Sequence, residues 1–468
     1  MSGLRERLAA IVGAGNCLTA AEDVTRYLVE ERGLYHGAAL CVVRPASTAE
    51  VAAVVRECAA ERIAIVPQGG NTGLCGGGVP PEHGRAVVVS TERLDRIRAV
   101  DAVNFTITVE AGCVLASVQQ AADAAGCLFP LSLAAEGSCR IGGNLSTNAG
   151  GVNVLRYGNA RKLALGLEVV LPDGRVWNGL KGLRKDNTGY ALEHLFIGAE
   201  GTLGIITAAV LELFPKPREI ATALVAVPDP QAALDILFRA RQASGDAVTA
   251  CELMPRAAID LDLAHVAGAR DPFDRAHPWY LLLELSSSRP GGLRAALEEI
   301  LAASLEEGRA ADAVIAQSED QRRALWRLRE GIPEAQKKEG GSIKHDIAVA
   351  TSRVPELIRR ATAAVEKALP GVRVVPFGHL GDGNIHFNLT QPKGADRQAF
   401  LDGWGRMNRL VHDIVVAMDG SIAAEHGIGR LKAAELARTK SDVEMDLMRR
   451  IKAALDPDGI MNPGKVLV

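Results

Sequence analysis

Pro67-Gln68-Gly69-Gly70-Asn71-Thr72-Gly73-Leu74-Cys75-Gly76-Gly77-Gly78 follows directly on the apolar run Ile63 to Pro67. Glycines this closely spaced let successive backbone N–H groups converge into a concave nest with no Cβ in the way, and such a nest holds a phosphate or pyrophosphate. The run before it reads as a buried strand, and Thr48 to Glu61 reads as a helix capped by Ser47 or Thr48. Helix, strand and glycine loop in that order make an α/β beginning. A flexible turn is the plainer reading of the loop, but its place straight after a strand favours anion binding. The loop is neither a G-x-G-x-x-G opening a helix nor a Walker loop. A G-x-x-x-x-G-K does occur from Gly459 to Lys465, but Val466 stands where Ser or Thr would reach a metal, so nucleotide hydrolysis is set aside.

Working outward, 468 residues with 48% hydrophobic content suffice for two or three domains. Lys+Arg at 53 against Asp+Glu at 56 leaves a net charge of −3, and no basic run or arginine-aromatic patch offers a nucleic-acid groove. The 48 glycines fall into discrete loops, with no collagen period. The eight cysteines include no C-x-x-C pair and fit neither a zinc knuckle nor a compact disulfide framework, so a reducing compartment is expected. The apolar run Leu8 to Val12 is too short for a signal-peptide core, and nothing approaches the ~20 apolar residues of a spanning helix. A soluble, cytoplasmic protein is expected.

A second cluster runs from Gly137 through Gly142-Gly143-Asn144-Leu145-Ser146-Thr147-Asn148-Ala149-Gly150-Gly151-Val152-Asn153. Small residues permit close approach of a planar ligand, and Asn, Ser and Thr offer neutral hydrogen bonds to a heterocycle's edges. Leu167 to Leu171 and Arg175 to Trp177, joined by Pro172-Asp173-Gly174, read as a hairpin. Then come Lys185-Asp186-Asn187-Thr188-Gly189-Tyr190 and Gly198-Ala199-Glu200-Gly201-Thr202-Leu203-Gly204-Ile205-Ile206-Thr207. Together these stretches resemble the FAD-binding domain of the vanillyl-alcohol-oxidase/p-cresol-methylhydroxylase flavoproteins. The later chain is similar to the FAD-linked branch that oxidises D-2-hydroxy acids.

The resemblance implies an α+β protein: a bipartite FAD-binding domain with an α+β substrate domain on an antiparallel sheet. The expected division is 1–218 for FAD, 219–418 for substrate and metal, and 419–468 returning to the flavin. It also implies FAD held by Pro67, Gly69, Gly70, Asn71, Thr72, Gly73, Gly137, Gly143, Asn144, Thr147, Asn148, Gly150, Gly151, Asn153, Glu200, Gly201, Gly204, Ile205 and Asn462. Some relatives attach the flavin through a His in the glycine loop or a Cys ahead of the second cluster. Here Asn71 occupies the first position and Cys139 lies later than the second, so non-covalent FAD is expected.

Beyond Phe214-Pro215-Lys216-Pro217 the glycine clusters stop, and Pro215 and Pro217 mark a boundary. Pro230 to Ala243 and Leu293 to Leu305 read as helices and Tyr280 to Ser286 as a buried strand. Helices on one side of an antiparallel sheet are expected. A helix from about Asp320 to Gly331 carries Arg322, Arg323, Arg327 and Arg329, and a solvated basic face explains most of them. By resemblance Arg329 is the exception and binds the substrate carboxylate, for which a guanidinium fork is suited by shape as well as charge.

Pro376 to Asn388 reads P-F-G-H-L-G-D-G-N-I-H-F-N, a tight hairpin folding His379 back toward His386, with Asn388 on the face of His386. A fold element with two incidental histidines is the plainer reading. Downstream stands Ala423-Ala424-Glu425-His426-Gly427, where an extended chain would point Glu425 and His426 opposite ways. By resemblance His379, His386 and Glu425 ligate a divalent metal, Zn or Mn, which suits two imidazoles and a carboxylate. His426 is then the base, binding substrate together with Arg329, Lys344 and Asn388.

Lys344 matches a lysine that holds a second carboxylate in D-2-hydroxyglutarate dehydrogenases, which places that acid ahead of D-lactate or glycolate. Pro333 departs from the Thr found in those enzymes. No NAD fingerprint is seen, so an electron-transfer flavoprotein or quinone is expected as acceptor. A homodimer is the default assembly. A flavin-binding relay subunit is the alternative from another class, and it has no need of a substrate-activating metal.

Overall fold

The computed structural model describes residues 2–467; Met1 and Val468, the outer ends of the expected domains, lie outside them. The chain divides into two compact units: Met1–Gly150, Gly158–Lys216 and Glu425–Val468 form the first, and Gly151–Tyr157 with Pro217–Ala424 the second. Against the expected borders at 218/219 and 418/419, the chain crosses at Lys216/Pro217 and Ala424/Glu425.

The first unit holds two sheets. In one, Cys41–Val43 and Ala64–Gln68 flank Ala86–Ser90 in parallel and Cys17–Leu18 closes one edge antiparallel. Helix Thr48–Ala60 starts at Ser47, whose hydroxyl accepts the Glu50 N–H. Val51, Val54 and Val55 on this helix are fully buried, and it carries the chain from Cys41–Val43 to Ala64–Gln68 across the position of Ala86–Ser90 in the same sheet. The N-terminal helix Ser2–Val12 adds Leu4, Leu8 and Val12 to the same core. The other sheet is antiparallel, in the order Ile97–Asp101, Thr106–Glu110, Ile205–Glu212, Ala164–Val170, Val176–Asn178. Its last pair is the expected hairpin, closed by Gly174 at φ 79°. The tail docks on the parallel sheet, where Ile65 N–H donates to Ile460 O and Asn462 N–H to Ile65 O.

Not all glycines fall in loops, because Gly142 and Gly143 lie inside the helix Ile141–Ser146. A Cβ on Gly142 would stand 2.7 Å from the Ala111 Cβ, so glycine there lets the helix approach the end of strand Thr106–Glu110.

Among the described residues the second unit's sheet has eight strands, all antiparallel. Their order is Asp312–Ile315, Glu219–Val227, Trp279–Ser287, Val248–Pro255, Arg373–His379, Asn384–Thr390; Ser342–Ile343 and Asp346–Ala348 both pair with the last. Alternate residues feed two cores. Leu281, Leu283, Leu285, Ile385 and Phe387 face helices Pro230–Ala243, Leu293–Glu306 and Val354–Ala368. Leu224, Leu282, Met254, Val375 and Phe377 face helices Arg256–His265 and Glu319–Glu330. A helical layer covers each face, where one side alone was expected. Each fully buried Leu or Val contributes about 1.5–3 kcal/mol.

Gly151–Tyr157 joins this unit through long-range contacts: Arg156 Nη1 donates to Ser286 Oγ at 2.9 Å and to Ala247 O at 3.3 Å. A Cβ on Gly381 would fall 2.6 Å from Leu155. Ser421 bridges to Ala348 and Ala424 N–H donates to Asp346 O, which keeps the chain here through Ala424.

Candidate active site

In the first unit, the glycine loop, the helix Ile141–Ser146 and the start of strand Ile205–Glu212 surround a cleft that opens to solvent, with about 960 Å³ of empty space counting its open mouth. Of the residues expected at a flavin, Pro67, Gly69, Gly70, Asn71, Thr72, Gly73, Gly143, Asn144, Thr147, Glu200, Gly201, Gly204 and Ile205 line it. Arg140, Thr91 and Gln68 line it too, although the sequence singled out none of them. Gly137, Asn148, Gly150 and Asn462 are absent from the lining, and Gly151 and Asn153 belong to the second unit. Asn148 instead accepts the Arg161 N–H, and Asn462 donates to Gly77 O at 2.9 Å and Glu200 O at 2.7 Å.

The fit to a flavin dinucleotide rests on two observations. A Cβ on the cleft-lining helical residue Gly143 would meet no protein atom within 4 Å, so glycine there keeps space open for a ligand. A Cβ on Gly73, in the lining of the glycine loop, would likewise meet no protein atom within 4 Å. The neutral amides and hydroxyls of Asn144, Ser146 and Thr147, with Arg140 for the phosphates, suit such a cofactor.

His426 also lines this cleft. The segment that carries it is bent where an extended chain was expected, and His426 Nε2 lies 3.8 Å from Glu425 Oε1. The chain then turns sharply, with Gly427 at φ 77° and Gly429 at φ 53°. Glu200 holds that turn: its buried carboxylate accepts the Ile428 N–H at 2.7 Å and the Gly429 N–H at 2.8 Å. Burial pushes the Glu200 carboxyl up, against these two bonds and the charges of Lys432 and Lys465. Cys139 is a buried thiol, within 3.6 Å of Asn144 Nδ2, and burial pushes its pKa up. Asn71, at the other linking position, turns its amide to Arg26 O and Val29 O.

In the second unit the hairpin Arg373–His379 and Asn384–Thr390 closes through the 3-10 turn Leu380–Asp382, with Gly383 at φ 81°. The rings of His379 and His386 stand 5.6 Å apart, centre to centre. Register sets Phe377 opposite His386 and Val375 opposite Asn388, so His379, His386 and Asn388 share a face. Asp346 is the cross-strand partner of His386 on the other side, and their ligating atoms come within 4.8 Å. Lys344 lies between the bridges Ser342↔Thr390 and Asp346↔His386, at the register position opposite Asn388. Asn388 donates to the buried Gln336 Oε1 at 2.7 Å.

Arg329 comes down on this face from helix Glu319–Glu330. Arg323 and Arg327 on the same helix are exposed and Arg322 pairs with Glu284, as a solvated basic face requires. Arg329 is 7% exposed, 4.9 Å above the Phe377 ring, and its Nε donates to Glu252 Oε2 at 2.7 Å. Glu252 Oε1 meets His379 Nδ1 at 2.6 Å. Burial alone would push the Glu252 carboxyl up, but the neighbouring His379 and Arg329 and the hydrogen bonds they make hold it below the usual carboxylate range. His386 and Asp346 put a nitrogen and an oxygen donor within 4.8 Å of each other, the mixed chemistry that suits Zn²⁺ or Mn²⁺, while His379 shares their sheet face but is not among the donor atoms that lie this close. Pro333 sits in the first turn of helix Ile332–Lys337, where the missing N–H costs no intrahelical bond.

Residues 39–179 match the FAD binding domain and residues 216–466 match the C-terminal domain of FAD linked oxidases. A probable mitochondrial D-2-hydroxyglutarate dehydrogenase of Oryza sativa subsp. indica is 39% identical, over 98% of this chain and 80% of the relative. The D-2-hydroxyglutarate dehydrogenase of Xanthomonas citri pv. viticola is 40% identical, over 91% of this chain and 89% of the relative. The crystal structure of p-cresol methylhydroxylase shares the fold at a TM-score of 0.76 with 17% identity, covering 99% of this chain and 96% of that one. No described helix is long and apolar enough to cross a membrane. The chain belongs to the FAD-linked oxidase family, among its D-2-hydroxyglutarate dehydrogenases, and shares the fold of p-cresol methylhydroxylase.

Proposed function

We propose that this chain oxidises D-2-hydroxyglutarate to 2-oxoglutarate with non-covalent FAD and a divalent metal, Zn or Mn. The observation that carries the reading is His426 in the wall of the glycine-lined cleft. When bound, FAD supplies the acceptor for the C2 hydride and the metal a Lewis acid for the C2 hydroxyl. His379, His386 and Glu425 would hold the metal, with Asp346 beside His386 as a further oxygen donor.

The chain's own residues then have distinct tasks. Arg329 binds the C1 carboxylate through the nitrogens that Glu252 does not use. Asn388, fixed by Gln336, orients the substrate. His426 accepts the hydroxyl proton, a transfer that imidazole suits near neutral pH. Lys344 receives the distal carboxylate, which makes a dicarboxylate the preferred substrate.

A charged hydrogen bond of about 1.5–3 kcal/mol makes the Lys344 assignment measurable. Lys344→Met is expected to lower kcat/KM for D-2-hydroxyglutarate by roughly 10- to 100-fold. Turnover of D-lactate, which has no distal carboxylate, should stay nearly unchanged. Faster turnover of D-lactate than of D-2-hydroxyglutarate by the unaltered chain would overturn the substrate assignment. Acid precipitation of the loaded protein is expected to leave all of the flavin in the supernatant, since neither Asn71 nor the buried Cys139 offers a linking nucleophile. Flavin in the washed pellet would contradict non-covalent binding.

A further inference from the structure

Glu252 is an acidic residue completely buried in the middle of a strand, Val248–Pro255, whose eight residues are all buried. A lone carboxylate in such a place costs several kcal/mol unless fully paired, and an apolar residue would pack the strand at no such cost. Its two oxygens have separate partners: Oε1 meets His379 Nδ1 at 2.6 Å, and Oε2 accepts from Arg329 Nε at 2.7 Å. Glu252 is also the cross-strand neighbour of His379, so the backbone ladder fixes their separation. Arg329 arrives from helix Glu319–Glu330, and its guanidinium carbon lies 4.9 Å from the centre of the Phe377 ring.

A carboxylate accepts hydrogen bonds and donates none, so the proton of the His379 ring lies on Nδ1 and the Nε2 lone pair is the ligating one. On the other side, engaging Nε of Arg329 orients the plane of the fork and commits its terminal nitrogens to an incoming carboxylate.

We propose that Glu252 is a positioning residue that ties the metal-binding and carboxylate-binding parts of this site together, fixing the His379 tautomer with one oxygen and the Arg329 plane with the other. This rests on the proposed function, in which His379 ligates the metal and Arg329 binds the substrate. Carboxylates that orient metal-bound imidazoles act at this distance, and removing one weakens metal binding by about 10- to 100-fold. Here the same substitution also misaligns the substrate's arginine, a coupling that a purely structural ion pair would not show.

The test uses the FAD-loaded full chain and Glu252→Gln, which keeps the side chain's shape and removes its charge. Zn²⁺ affinity is read by competition with a chromophoric chelator, and KM and kcat for D-2-hydroxyglutarate are read at saturating Zn²⁺. Weaker Zn²⁺ binding by 10-fold or more, with KM still raised when the metal is saturated and flavin content unchanged, is the expected result. In an Arg329→Met background the KM effect of Glu252→Gln should vanish while the Zn²⁺ effect persists. If Glu252→Gln does not fold, Glu252→Asp keeps the charge but shortens the reach, and the same two losses are expected. Zn²⁺ affinity and KM equal to those of the unaltered chain would overturn the role of Glu252. Failure of the unaltered chain to bind Zn²⁺ or Mn²⁺ would instead overturn the functional reading beneath it.

Discussion

Replacing His426 by alanine is expected to lower flavin reduction by substrate on the order of 10²- to 10⁴-fold, with the flavin still bound. The expectation follows from position and support together. His426 stands in the cleft wall, and the chain after it is fixed by two N–H bonds to the buried Glu200. A Cβ on Gly427 would lie 2.8 Å from Glu200 Oε1, so the turn closes tightly on that carboxylate. Such a mount makes sense for a group that must meet a hydroxyl hydrogen within hydrogen-bond reach. The measurement is single-turnover anaerobic reduction, which separates proton removal from later reoxidation. Added imidazole should restore part of the rate. Reduction at a near-normal rate would remove His426 from the chemistry.

The second large effect is at Arg329. Arg329→Met should destabilise the protein by about 3–5 kcal/mol, because Glu252 then keeps its buried charge with no cation beside it and only the His379 ring to hydrogen-bond. The same change should reduce kcat/KM by at least 10²-fold through loss of the carboxylate fork. Arg329→Lys keeps a charge but neither the planar fork nor its stacking on Phe377, so it should recover stability better than activity. Urea denaturation and steady-state kinetics on the two variants check both parts. Unchanged kcat/KM in Arg329→Met would show that the substrate carboxylate binds elsewhere.

Local signals account for what the sequence reveals of this fold. Helix Pro230–Ala243 has the expected limits because Asp229 caps it and proline opens it, and both signals sit within four residues. The glycine loop is legible for a similar reason, since a backbone nest needs several glycines in succession. Distant pairings leave weaker traces. Glu252 meets His379 across 127 residues, and the single hint is an acidic residue inside an otherwise apolar run. Asp346 stands opposite His386 because an edge strand pairs there, and nothing in Ser342-Ile343-Lys344-His345-Asp346 announces that pairing. The turn just after His426 is held by Glu200, more than two hundred residues earlier, so an extended segment is the natural reading of those residues alone. Gly151–Tyr157 leaves the first unit for the same kind of reason, through the contacts of Arg156 with Ala247 and Ser286.

The central claim is that a D-2-hydroxy acid delivers hydride to a flavin held in the cleft that His426 lines. Its most direct test is anaerobic mixing of the FAD-loaded chain, supplied with Zn²⁺ or Mn²⁺, with D-2-hydroxyglutarate while the oxidised flavin spectrum is followed. Rapid bleaching, slowed when a chelator strips the metal, is the predicted result. An oxidised spectrum that persists with D-2-hydroxyglutarate, D-lactate and glycolate alike would contradict the account.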